Sequence, residues 1–181
     1  MRSVRDAPED RDAQDGESLF SEAYRELAPA VRGYLRSRGV PDPEAVANDV
    51  FMALYPRIGT VRGGRAGLKT LVFTIAHART VDHYRERART PAMAAYHPDS
   101  EPRSAPSAED VVLGRGTRIL GLIEELSPDQ REVIALRVIA DLSLEQTAAI
   151  THRSTGAVKQ LQRRALLALR NRLDREEEAT P

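Results

Sequence analysis

Apolar residues recur at spacings of three and four from Leu19 onward, at Leu19, Phe20, Ala23, Tyr24, Leu27, Val31, Tyr34 and Leu35. That period predicts a helix. Pro29 is expected to kink it or split it into two abutting helices, and Gly39 to end it. Asp42-Pro43 reads as a cap followed by proline at the first helical position, after which Val46, Val50, Phe51, Leu54 and Ile58 form one apolar stripe. A Gly/Arg loop, GTVRGGRAG at 59–67, leads into a third helix. Its stripe is Leu68, Leu71, Val72, Ile75 and Ala76, and it runs on through Arg79, Arg85, Arg87 and Arg89 to a stop at Pro91. Residues 91–110 carry Pro91, Pro98, Pro102 and Pro106 among Ser and Ala, a linker composition.

Helical patterning resumes over Val111–Leu126. Ser127-Pro128-Asp129-Gln130 and Ser143-Leu144-Glu145-Gln146 both have the capping-box form, and Ser154-Thr155 marks a further helix start. No segment alternates long enough to demand a strand. The expected fold is all-α: two small helical domains joined by a flexible linker. Residues 1–17 read as a disordered charged tail, 18–90 as the first domain, 91–110 as the linker, 111–175 as a helix-turn-helix domain and 176–181 as an acidic tail.

Composition narrows the chemistry. No apolar run approaches the roughly 18 residues of a membrane span, and the charged stretch Met1–Gly16 lacks the apolar segment of an export signal. The 181 residues include no cysteine, which excludes disulfides, iron–sulfur clusters and thiol nucleophiles and fits a reducing compartment. His77, His83, His97 and His152 lack metal-site spacing. Gly63 to Thr70 superficially resembles a nucleotide loop, but Leu68 separates Gly67 from Lys69 and no strand precedes it. Glu124-Glu125 and Glu176 to Glu178 read as solvated helix ends. Neither a cofactor nor an enzymatic site is expected.

The net charge is zero, but its distribution is not uniform. The balance is −4 over residues 1–56, +6 over 57–90, −4 over 99–132, −1 over 133–150 and +3 over 151–181. Two basic blocks separated by an acidic one suggest two polyanion contacts. All the basic residues except Lys69 and Lys159 are arginine, suited to phosphate forks and base stacking.

The strongest local signal spans residues 144–165. Two helical segments are joined by Thr151 to Ser154. Ala148 is small where the helices would cross, Val158 and Leu161 face inward, and Lys159, Gln160, Arg163 and Arg164 face outward. That is the build of a DNA-reading helix-turn-helix; a helical hairpin with a solvated basic face has the same pattern. A second signal, residues 68–89, interleaves aromatics with arginine as single-stranded or distorted DNA would require; a partly buried structural helix fits that segment equally. Asp82 is placed to hold Arg79 or Arg85.

In this order and spacing, the chain resembles the extracytoplasmic-function (group four) sigma factors of bacterial RNA polymerase, sigma-seventy family, over about residues 18–173. Leu19–Gly39 is similar to the family's first helical region. Asp42–Ile58 is similar to its polymerase-binding helix, with Asn48-Asp49-Val50-Phe51 where Gln-Glu-Val-Phe is common. Leu71–Arg89 is similar to the promoter-melting region, and Leu126–Ala165, with its Leu-Ser-Pro-x-x-Arg-Glu-Val opening and Gly-x-Val-Lys, to the domain that reads the minus-thirty-five element. Leu71 stands in place of a common Trp and Ala78 of a common Asn. The Thr151-His152-Arg153 turn is polar where Leu-Gly-Ile is usual, and Leu161-Gln162 reverses the usual polar–apolar order.

The resemblance implies a non-enzymatic promoter-specificity subunit of the bacterial cytoplasm, partnered by core RNA polymerase and promoter DNA, with an anti-sigma factor as a further partner class. It implies polymerase binding at Val46, Asn48, Asp49 and Phe51. It implies minus-ten contacts at Arg62, Arg65, Phe73, His77, Arg79, Tyr84 and Arg85. Minus-thirty-five contacts are implied at Arg153, Ser154, Thr155, Gly156, Lys159, Gln160, Arg163 and Arg164, with Lys159, Gln160 and Arg163 aimed at base edges and Arg153 and Arg164 at phosphates. The alternative is a stand-alone helix-turn-helix repressor with a ligand or dimerisation domain in residues 18–90.

Overall fold

The computed structural model describes residues 8–89 and 121–178, and among them every regular element is helical. The predicted linker 91–110, the start of the following segment and the extreme ends lie outside the described residues.

Helix α1 spans Pro8–Ser37. Two expectations are corrected here. Residues 8–17, read from the sequence as disordered tail, belong to this helix; Pro8 opens it, where a missing N–H costs nothing. Pro29 does not divide it either. A proline inside a helix costs about 3 kcal/mol, whereas full burial of a large apolar side chain contributes about 1.5–3 kcal/mol. Leu27, Val31, Tyr34 and Leu35, on both sides of Pro29, are all buried, so packing outweighs the lost bond. Gly39 ends α1 at φ +71°. Its N–H donates to Arg36 O and that of Val40 to Leu35 O, the paired bonds of a left-handed helix stop.

Helix α2, Pro43–Leu54, starts where Asp42 accepts from the Ala45 N–H at 2.9 Å. A 3-10 turn, Tyr55–Thr60, follows. Helix α3 spans Gly64–Arg89. Helix α4, Pro128–Ile134, is opened by the Ser127/Gln130 capping box, and a π-helical turn, Ala135–Ile139, continues it. Helix α5, Leu144–Thr151, is opened by the Ser143/Gln146 box. Helix α6 spans Thr155–Glu178. Both boxes form reciprocally, as the sequence predicts.

Helices α1, α2 and α3 pack around Val31, Tyr34, Leu35, Val50, Phe51, Leu54, Val72 and Phe73. The same continuous core takes in Ala135, Leu136, Ala140, Leu142 and Ile150 from the C-terminal helices. The two helical groups therefore share apolar surface directly. Ile123, Leu126, Ile134 and Ala165 form a second cluster, and Val133, Ala148 and Val158 a third that seats the start of α6.

Candidate nucleic-acid interface

Helices α5 and α6 and the turn between them form the helix-turn-helix. His152 takes the left-handed conformation at φ +53°, and the Arg153 N–H closes the turn on Ala148 O at 3.0 Å. Ser154 Oγ accepts from the Ala157 N–H at 3.1 Å and so caps α6. Val158 is buried against Ala148 and Val133, with Leu161 packed on the same cluster. This fixes which side of α6 looks outward: Thr155, Gly156, Lys159, Gln160, Arg163 and Arg164 are all exposed. Arg153 is less free, because it pairs with Asp129 at 2.8 Å.

The reversed order Leu161-Gln162 has a structural counterpart. Gln162 turns inward and accepts from Arg137 Nε at 3.1 Å, while another Arg137 nitrogen donates to Leu142 O. Arg137 on the π-helical turn thus holds the roll of α6. The sequence pattern alone hid this pair, because its members lie 25 positions apart.

Helix α3 carries the other basic block. Arg62 and Arg79 are exposed. Arg65 donates to Glu26 on α1 at 2.8 Å, and Arg85 stands 3.9 Å from Asp82. Tyr84 is partly exposed, with its hydroxyl donating to Arg38 O. His77 is half-buried; its Nδ1 lies 3.2 Å from Glu132 Oε1 and 3.4 Å from the Tyr34 hydroxyl. Phe73 requires a correction: it is 0% exposed and stacks edge-on against Tyr34 at 5.9 Å, so it lines no surface path. Between the loop and α1 lies a groove of about 200 Å³ lined by Leu19, Ala23, Ile58, Val61 and Leu68, with Glu26 and Arg65 also on its wall.

On α2, Phe51 is also corrected. It is buried beside Tyr24, ring centroids 4.7 Å apart, and cannot itself touch a partner. Val46 packs at the rim of the same core. Asn48 and Asp49 are exposed, and Asn48 Oδ1 accepts from the Tyr24 hydroxyl at 3.4 Å. Met52 and Tyr55 share their face and are 71% and 53% exposed. Sequence reading missed both. Their signal was the spacing of four and seven from Asn48, which puts both outside the apolar stripe.

Glu132, noted in the sequence only as part of the Leu-Ser-Pro-x-x-Arg-Glu-Val opening, is the most buried carboxylate among the described residues. Burial pushes its carboxyl up, but the hydrogen bond from His77 and the charges of Arg38, His77 and Arg153 outweigh burial and hold it below the ordinary range. Tyr34 is shifted upward, chiefly by burial. Among the described residues no three His, Cys, Asp or Glu side chains could hold a metal ion, and no helix is long and apolar enough to cross a membrane.

A capped, exposed, basic second helix braced across a short turn defines a helix-turn-helix DNA-binding protein. Comparison with known proteins narrows the class. Residues 122–171 match the family "Sigma-70, region 4". The chain is 32% identical over 180 residues to the ECF RNA polymerase sigma factor RpoE of Cereibacter sphaeroides, covering 96% of this chain and 92% of that one. The solved structure of CnrH in complex with the cytosolic domain of CnrY is similar at 25% identity, with a TM-score of 0.61 over 90% of this chain and 94% of that one. The sigma factor RpoE solved with the anti-sigma factor NepR from Bartonella quintana shares the fold, at 24% identity and a TM-score of 0.64 over 86% and 96% of the two chains. The chain belongs to the extracytoplasmic-function sigma factors of the sigma-70 family. Similarity over nearly the whole length of a sigma factor favours that reading over the repressor.

Proposed function

We propose that this chain binds core RNA polymerase through the exposed face of α2, reads a minus-thirty-five duplex with α6, and opens the minus-ten element along α3 and the loop before it. It catalyses no covalent step. The observation that carries the reading is the outward row Thr155, Gly156, Lys159, Gln160 and Arg163 on a helix whose opposite side is fixed by Val158, Leu161 and the Arg137–Gln162 bond. An anti-sigma factor is a further partner class, supported by the similar structures solved as complexes. Run-off transcription with purified core polymerase tests the whole: the chain programs a defined start, whereas a repressor occupies an operator alone and yields no product.

Asp49 and Asn48 give the docking face its polarity, and Met52 and Tyr55 its apolar area. Asp49→Arg reverses a charge without touching the core, so helicity is retained while affinity for core polymerase falls. A pull-down titration with unchanged affinity removes the docking face from α2.

On α6, Lys159 and Arg163 are four positions apart and share a face, with Gln160 beside them. Arg pairs with guanine and Gln with adenine. Arg163→Ala or Gln160→Ala is expected to cost about 1–3 kcal/mol and relax preference at one or two base pairs. Arg164→Ala should weaken all sequences alike and lower the salt slope by about one unit. A promoter-library selection separates them: uniform loss for Arg163→Ala with unchanged preference moves it to the phosphate class.

A further inference from the structure

The two helical groups meet along a seam with a polar centre. On its apolar part, Gly33 of α1 faces Ile139 of the π-helical turn so closely that an added Cβ would stand 3.0 Å from the Ile139 Cγ2. At its edge, Lys69 donates to Asp141 O at 2.8 Å and Gln146 Nε2 to Thr70 Oγ1 at 2.6 Å. At the centre, two nitrogen donors, one just past the end of α1 and one on α3, converge on a single acceptor. Arg38 Nη2 lies 3.5 Å and His77 Nδ1 3.2 Å from the same oxygen, Glu132 Oε1. Arg38 is fixed further by its bond to Pro128 O at 2.9 Å, and its own carbonyl accepts from Tyr84.

Two donors aimed at one anionic oxygen fit a phosphodiester as well as a carboxylate, since both present a charged acceptor with free lone pairs. His77 lies on α3 in the most basic block of the chain, +6 over residues 57–90, and Arg38 reaches it from just past the end of α1. The acidic side chain that meets both donors comes from the other helical group. We propose that Arg38 and His77 form a binding site for a backbone phosphate of the unwound promoter strand, and that in the free chain Glu132 occupies this site and holds the two helical groups closed. The inference rests on the reading of α3 as the strand-opening helix. Strand binding and closure then compete for the same two donors, and the strand engages the open form alone.

The experiment uses the full chain. Because it contains no cysteine, two dyes can be placed uniquely at Arg57→Cys and Asn171→Cys, both exposed positions in different helical groups. Gly33→Leu wedges the seam at Ile139 and improves α1 helix propensity, so it opens the chain without weakening α1. Glu132→Gln removes the competing charge while keeping the side-chain shape. Energy transfer is expected to fall in both variants. Affinity for a labelled single-stranded oligonucleotide is expected to rise roughly tenfold, because only the open fraction binds. Arg38→Gln in the Gly33→Leu background should abolish the gain and flatten the salt slope by about 0.7 for the lost phosphate contact.

Unchanged transfer in both opening variants overturns the closure. Lower transfer without tighter strand binding, or an Arg38→Gln slope that stays the same, overturns the phosphate site. Run-off transcription by the wild-type chain in the same preparation keeps the parent reading separate. Product without an Arg38 effect removes this site alone, whereas absence of product removes the sigma mechanism itself.

Discussion

Phe73→Ala is expected to destabilise the chain by about 3–5 kcal/mol, the range for deleting a buried aromatic ring. Phe73 is fully buried, and its ring meets Tyr34 at an interplanar angle of 87°. Tyr34 is itself fully buried, with its hydroxyl within 3.4 Å of His77 Nδ1. The cavity would open between α1 and α3, where Val31, Leu35 and Val72 are also closed to solvent and cannot collapse inward freely. A loss of this size is a large part of the 5–15 kcal/mol that stabilises an ordinary domain. Denaturant unfolding measures it directly. A change below about 1 kcal/mol, typical of a surface site, would return the ring to the strand path that family resemblance suggests. Transcription by this variant has to be read against its folded fraction, since any defect in opening would otherwise be mistaken for a lost base stack.

The misplacement of Phe73 shows where sequence reasoning stops. Leu68, Val72, Ile75 and Ala76 trace one stripe along α3, and a single-sided helix would leave Phe73 at its margin. Helix α3 is covered more widely: α1 and α2 pack on it, with Tyr34 against Phe73, and α5 reaches it through Gln146. Nothing local to residues 68–80 announces these covers, because Tyr34 comes from α1 and Gln146 from 76 positions beyond Thr70. The same holds for Glu132, whose neighbours Arg131 and Val133 give no hint of burial between Arg38 and His77. Features set by nearest neighbours were legible: both capping boxes, the Gly39 stop, the Asp42 cap, the inward Val158 and outward Lys159. At Pro29 the split into two helices does not occur, because long-range burial of Leu27 and Val31 outweighs the local rule. The α2 face was half legible, since Asn48 and Asp49 stand out as polar but Met52 and Tyr55 look like core residues until the apolar stripe is seen to be filled without them.

The loop before α3 gives the sharpest conflict between local propensity and packing. Gly67 lies in the first turn of α3, where alanine is about 1 kcal/mol better than glycine by propensity. A Cβ there, however, would stand 1.9 Å from the Arg62 carbonyl oxygen and 2.9 Å from its carbon. These are backbone atoms and cannot rotate aside. Arg62 is held in place from the other direction, because the chain must turn at Gly63, φ +85°, whose carbonyl accepts from the Gly67 N–H at 3.2 Å. The methyl therefore has to push residues 61–63 away from α3. Overpacking of this kind costs typically 1–3 kcal/mol, more than the propensity gain. Gly67→Ala is thus expected to lower stability and to displace Val61, which lines the groove against α1 together with Ile58 and Leu68. Under the proposed mechanism this loop takes part in opening the duplex. Run-off product from a duplex promoter should then fall well below wild type, while product from a pre-melted template, where opening is already done, should be largely retained. Thermal unfolding and the two templates together decide the matter. A more stable Gly67→Ala would mean that the Arg62 carbonyl yields and propensity wins. Equal loss on both templates would place the defect in polymerase or duplex binding instead of in strand opening.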